Sequence, residues 1–281
     1  MTARAMIAPS TSLRRAGLLA AVALLAAAPV AAQERRDDRR DERVEPFDWS
    51  GDVAAGRTLY LKNLNGGVTV ERASGREVEI EARKRVRRGD PAFVRIEVER
   101  SDDGDVVACA LWGPEARCDE REYRTRNGRG WNNNNDISVE FTVRVPEGVR
   151  LDLSTVNGTL DIDGATDAVK VSTVNGAIRA SSLGGPVTAN TVNGSITVRM
   201  GDAGREDLRY STVNGSITIE VPDGLDAELQ MSTVNGSIDS DFPLTLRGRI
   251  NPKSIRATIG DGGRALVAST VNGSVRLRRR N

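Results

Sequence analysis

Histidine is absent from all 281 residues, so the commonest general base and the commonest metal ligand are missing together. Aromatic residues make up 4% of the chain, so a core has to be assembled from Val, Ile, Leu and Ala. That composition suits thin, stacked β-layers. No charge of one sign dominates, with 40 Lys and Arg against 39 Asp and Glu. Such a balance provides no field to draw in nucleic acid or anionic lipid, and no nucleic-acid partner is expected. Cysteine occurs only as Cys109 and Cys118, which in a chain without histidine cannot make a zinc site. No Gly-rich phosphate loop follows strand–helix grammar, so neither metal nor cofactor is implied.

The long apolar run is confined to the start. Arg4, Arg14 and Arg15 precede Ala16–Ala28, which is followed by Pro29, Val30, Ala31 and Ala32. A charged region, an apolar region and a small-residue cleavage site predict a signal peptide over residues 1–32. The apolar run is short for a membrane span. The mature chain is therefore expected to be exported, whether periplasmic, cell-surface or secreted, with no transmembrane segment after cleavage. Residues 33–48 include ten consecutive charges, Glu34–Arg43, and read as a solvated tether. A β-repeat domain is expected over residues 49–281.

What the sequence has in abundance is the tetrapeptide Thr-Val-Asn-Gly. It begins at Thr155, Thr173, Thr191, Thr212, Thr233 and Thr270, in steps of 18, 18, 21, 21 and 37 residues. A degenerate copy lies at Asn63-Leu64-Asn65-Gly66. Self-similarity at this period marks a repeat architecture. Upstream of each Thr, apolar residues alternate by two, as in Leu151/Leu153, Val169/Val171 and Leu208/Tyr210. Downstream of each Gly a small residue precedes a branched apolar one: Leu160, Ile178, Ile196, Ile217, Ile238 and Val275. Alternation on both sides predicts two strands per unit.

The Asn-Gly step between them fits two structures. One is an antiparallel β-meander with type I′ Asn-Gly hairpins. The other is a β-solenoid, parallel β-helix-like, with 18–21-residue coils whose corners use Asn and Gly for left-handed backbone. The repeated Val favours the solenoid, because a hairpin would set it on the polar face while a solenoid corner can turn it inward. On that reading Val213→Asp would cost roughly several kcal/mol by placing a charge in an apolar column. Asn65, Asn157, Asn175, Asn193, Asn214, Asn235 and Asn272 would form an amide ladder like the stacked Asn of cross-β assemblies.

The 37-residue gap is expected to hold one coil without the Asn-Gly mark, and Arg278-Arg279-Arg280 to guard an exposed last strand. Residues 109–136 break the alternation and read as an inserted loop. Within it a Cys109–Cys118 bridge is expected under oxidising conditions. Trp112, Tyr123 and Trp131, with Asn132–Asn135 alongside, are the candidate ligand-contacting residues. Asp161, Asp163, Asp167, Asp239 and Asp241 could supply convergent carboxylates, but they flank turns or alternate outward, which favours solvent roles.

The S-T-V-N-G-S-[IV] units, the Ile259-Gly260-Asp261-Gly262-Gly263 approach to the last of them and the signal peptide resemble the bacterial putative-adhesin family. The resemblance runs from about Val44 onward and implies an exported β-strand repeat domain of unknown function. No catalytic site is legible, so the chain is not expected to be an enzyme. It is expected to be an envelope or secreted binding protein, adhesin-like; its partner is unknown from the sequence, with an envelope polysaccharide and a surface protein as the candidate classes. A self-assembling scaffold of the envelope is the alternative.

Overall fold

In the computed structural model, residues 42–125, 135–246 and 251–280 are described. The expected signal peptide, the tether as far as Asp41, and Trp131 with Asn132–Asn134 lie outside them. The first strands are β1 (Arg43–Asp52), β2 (Thr58–Lys62), β3 (Val68–Arg72), β4 (Glu77–Arg88), β5 (Val94–Arg100) and β6 (Val106–Trp112). A small hairpin, β7 (Arg117–Cys118) and β8 (Tyr123–Arg124), precedes β9 (Asp136–Val145). Paired strands then follow: β10 (Arg150–Ser154) with β11 (Leu160–Ala165), β12 (Val169–Ser172) with β13 (Ile178–Ser182), and β14 (Val187–Asn190) with β15 (Ile196–Met200). After them come β16 (Leu208–Ser211) with β17 (Ile217–Val221), and β18 (Ala227–Ser232) with β19 (Ile238–Ser240). The chain continues through β20 (Thr245–Leu246), β21 (Ser254–Ile259), β22 (Arg264–Ser269) and β23 (Val275–Arg279).

These strands build a β-solenoid. In each coil one strand joins an 11-stranded sheet, the Asn-Gly corner turns the chain, and the next strand joins a 10-stranded sheet. Coil-to-coil pairing is parallel and in register, as in Leu151↔Val169↔Val187 and Leu160↔Ile178↔Ile196. The alternating apolar residues singled out in the sequence fill the space between the sheets. Leu153, Val171, Ala189, Ile178, Ile196, Ile217 and Val275 are all fully buried. The repeat thus places the same kind of side chain above itself coil after coil, which is how a core forms without aromatic bulk.

The corner is turned the other way from expectation. Thr155, Thr173, Thr191, Thr212, Thr233 and Thr270 are buried, while Val174, Val192, Val213, Val234 and Val271 are exposed. The Thr hydroxyl goes inside because it has a partner there. Thr212 Oγ1 donates to Gly194 O at 2.9 Å and Thr270 Oγ1 to Gly215 O at 2.8 Å, each reaching the neighbouring coil. A satisfied hydroxyl can be buried without penalty, which frees Val to face solvent.

The corner glycines also have a different reason from the one expected. Gly66 (φ 122°) and Gly273 (φ 156°) have positive φ, but Gly158, Gly176, Gly194, Gly215 and Gly236 do not. What excludes a side chain is the next coil. A Cβ on Gly194 would fall 1.9 Å from Gly176 O, and the same clash recurs at each corner.

Stacking order departs from chain order at both ends. β22 lies between β16 and β18, and β23 between β17 and β19, so the coil of Thr270 is inserted beneath the coil of Thr233. The Arg-rich last strand is therefore interior, and two of its arginines are paired. Arg278 contacts Asp239 and Asp241 at 2.6 Å, and Arg279 contacts Asp223 at 3.2 Å. The 37-residue gap does not hold an unmarked coil. β21 runs antiparallel to β18, with β20 beyond it, and the pair caps that end of the 11-stranded sheet. At the other end β6 and β9 form a coil beside β2 and β3, covered by antiparallel β5 and by β4 and β1. Ordered sheet begins at Arg43, so the Arg43–Asp48 end of the expected tether is strand.

Candidate binding surface

The inserted segment occupies a corner. β6 and β9 belong to one coil, and the described part of the insertion, residues 113–125, leaves β6 where the other coils carry Asn-Gly. Cys109 is not in the loop but inside β6. The segment after β6 folds back over the outer face of that strand, burying Val107, Cys109 and Leu111 under Ala116, Cys118 and Tyr123. This is why β6 is buried on both faces.

Three contacts hold this flap. A Cys109–Cys118 disulfide ties its near end to the strand. Lys62 Nζ donates to Asp119 O at 2.7 Å and Glu120 O at 2.9 Å, and burial lowers its pKa against the pull of Asp152 and Asp119. Tyr123 supplies the third. β2 pairs with β6 only as far as Cys109, leaving Ala110 and Trp112 with free backbone groups on that edge. Tyr123 Oη donates to Ala110 O at 2.8 Å and accepts from Trp112 N at 3.1 Å, closing the edge. Burial pushes the phenol up to about 12, with the Trp112 N–H acting in the opposite direction.

The ligand-contacting set expected here is therefore not assembled from Trp112 and Tyr123. Trp112 is 8% exposed and packs in the main core, and Tyr123 is committed to the flap. Trp131 lies outside the described residues. Between the flap and β5 is an open pocket of about 460 Å³ lined by Arg95, Glu97, Glu99, Arg117, Asp119, Glu122 and Arg124. Several of its charges are already paired. Arg95 contacts Glu97 at 3.2 Å and Arg124 contacts Glu122. Asp119 Oδ1 accepts from Glu122 N and Arg121 N at 2.8 Å, which holds its carboxyl below the usual range. Glu122 is likewise lowered, first by its bond to Arg124. Neither carboxyl is shifted toward the raised pKa of a general acid.

The other acids bridge coils. Asp161 contacts Arg179 and Asp167 contacts Arg150, each at 3.6 Å, and Asp167 Oδ1 accepts from Ala168 N. Asp239 and Asp241 share Arg278, whose hydrogen bond is the main cause lowering Asp241. Among the described residues no group of three or more Cys, Asp or Glu could hold a metal ion.

The feature that the sequence reasoning missed is a ridge along the solenoid. Val174, Val192, Val213 and Val271 are 38–40% exposed and Val234 is 61% exposed, one per corner, with half-buried Val156 in line. Parallel pairing sets successive coils roughly 4.8 Å apart, so the column has that repeat. Beside it runs the amide ladder. Nδ2 of Asn175, Asn193, Asn214, Asn272 and Asn235 donates in turn to Oδ1 of Asn157, Asn175, Asn193, Asn214 and Asn272, each at 2.8 Å. Asn65 stands on the same line by its backbone bridge to Asn157, but its amide turns to Ile137 O at 2.6 Å. The signal was available: carrying the Leu151, Leu153 alternation one step further puts Thr155 inside and Val156 outside.

A sequence model of the family described as Toastrack DUF4097 matches residues 43–278. No functionally curated protein matches the sequence. Among solved structures, a putative cell adhesion protein from Clostridium sporogenes is 10% identical over 84% of this chain and 100% of its own, with a TM-score of 0.40. A putative adhesin from Bacteroides fragilis is 10% identical over 84% of this chain and 97% of its own, with a TM-score of 0.35. A third, from Parabacteroides distasonis, is 10% identical with a TM-score of 0.28, covering 85% of this chain and 98% of its own.

Proposed function

The chain belongs to the Toastrack DUF4097 family, and from that premise we propose that it is a non-enzymatic, exported binding protein that engages its partner through the Val–Asn ridge. The observation that carries this reading is the exposed Val column. Exposed apolar side chains scattered singly need no explanation, whereas a contiguous row of them marks an interaction surface. Here they stand in register on a rigid backbone, flanked by amides that are already bonded to one another and so do not compete for water. A regular, extended partner fits such a surface best, and an envelope polysaccharide is the class we favour. The disulfide supports an oxidising compartment. The ion pairs in the flap pocket and the lowered carboxyls of Asp119 and Glu122 weigh against acid–base catalysis there.

The test is a binding screen against glycans and envelope polymers with the natural chain and a Val192→Lys/Val213→Lys variant. Both positions are exposed, so the fold is retained and binding is expected to fall. Binding that survives in this variant, or that depends instead on the flap, would refute the ridge. The scaffold reading is weighed down by the antiparallel strands at three of the four sheet edges, β1, β5 and β20, which oppose end-to-end growth, while β19 ends its sheet in parallel. Concentration-dependent light scattering measures it directly.

A further inference from the structure

Each marked corner repeats the dipeptide most prone to spontaneous deamidation. In that reaction the backbone N–H of the Gly loses its proton and the nitrogen bonds to Cγ of the Asn. The Cγ–Nδ2 bond breaks with release of ammonia, and water then opens the succinimide to aspartate or isoaspartate. The nucleophile is a backbone nitrogen, so its hydrogen bonding decides whether the reaction can start.

Along the stack these N–H groups are engaged one after another. Gly66, Gly158, Gly176, Gly194, Gly215 and Gly273 donate to the Asn carbonyl of the next coil at 2.8–3.1 Å. Every bond points the same way, so the stack must end on an unused donor. That donor is Gly236, whose N–H meets no acceptor among the described residues. The side-chain ladder ends at the same residue, since Asn235 donates to Asn272 and its own Oδ1 accepts from no amide among the described residues. Exposure does not separate this corner from the others, because Asn157, Asn175, Asn193, Asn214 and Asn272 are exposed as well. Lys253 Nζ donates to Gly236 O, setting a positive charge beside the amide that must ionise.

We propose that Asn235-Gly236 is a modification site of the folded protein, the corner step left open to succinimide formation while the stacking protects the rest. Conversion replaces an amide donor by a carboxylate facing Asn272 Oδ1, which loosens the terminal coil from its neighbour.

Peptide mapping by mass spectrometry after incubation at mildly alkaline pH tests this, with a urea-unfolded sample alongside. In the folded protein Asn235 is expected to convert about tenfold faster than the other corner asparagines, the factor corresponding to one backbone hydrogen bond. In urea that advantage should vanish. Equal rates in the folded protein, or no conversion at Asn235, would overturn the proposal. Faster conversion at Asn272 would also overturn it, and would mean that the coils stack in chain order. Asn127-Gly128 lies outside the described residues and is not scored.

Discussion

Replacing Gly194 by Ala is expected to destabilise the solenoid severely, against the usual sign of such a change. Gly194 does not have positive φ, and at such positions Gly→Ala ordinarily stabilises by about 0.4–1 kcal/mol through the unfolded chain. Here the added Cβ would sit 1.9 Å from Gly176 O, 2.5 Å from its carbonyl carbon and 3.0 Å from Ala177 N. All three are backbone atoms, so no side chain can swing away. Relief requires the coils to separate by more than an ångström, yet they are held by Asn193 N→Val174 O at 2.7 Å and Gly176 N→Asn193 O at 3.0 Å. Overpacking alone costs about 1–3 kcal/mol, and each strained backbone bond adds about 0.5–1.5 kcal/mol. A loss of about 3 kcal/mol or more follows, or roughly 6–12 °C in Tm for a domain of this size. Gly75→Ala is the control, since a Cβ there meets nothing within 4 Å. Urea unfolding with unchanged slope should separate the two variants clearly. A Gly194→Ala midpoint equal to that of Gly75→Ala would refute the close-approach reasoning.

Val213→Asp should cost little, within about 0.5–1 kcal/mol, because Val213 is 40% exposed; chemical denaturation would reveal the several-fold larger loss that an inward Val requires. Cys118→Ser should cost about 2–3 kcal/mol and release the flap, seen as faster amide exchange over Val107–Leu111 with Val169–Ser172 unchanged. Tyr123 predicts an alkaline limb. Its folded pKa of about 12 lies above the ordinary value of 10.0, so its contribution is complete below pH 10 and is lost as pH rises toward 12. Tyr123→Phe should flatten unfolding stability over that window, and an unaltered pH profile would count against the buried phenol.

The repeat was legible because its physics is local. Leu153, Val171, Ile196 and Ile217 sit at period-two positions in the chain and are buried in the solenoid. The amide ladder was legible for the same reason, since identical corners stacked in parallel must bring identical residues together. Three things were not. The Thr–Val reversal depends on a hydroxyl partner, Gly194 O for Thr212, that belongs to another coil. The aromatic residues of the insertion read as ligand-contacting because composition says nothing of where a side chain points; Trp112 ends a strand already covered on both faces. The insertion of β22 and β23 beneath β18 and β19 leaves no local trace, because every coil offers the same seat to its neighbour and only the β20–β21 cap, built from residues that do not repeat, forbids another coil from landing there.

That insertion has a consequence for the order of assembly. As the chain emerges from its N-terminal end, each coil from Arg150 to Val221 can settle on one already made, the first on β2 and β3 and the others on the coil just before. Ala227–Ser240 cannot, because its seat in the finished stack is the coil of Arg264–Arg279, which is made later. The penultimate coil must wait, or dock provisionally on the Thr212 coil and then be displaced. A chain interrupted before Arg264 would therefore hold a well-formed stack with a mismatched top, and β22 and β23 act as the keystone that seats β18 and β19.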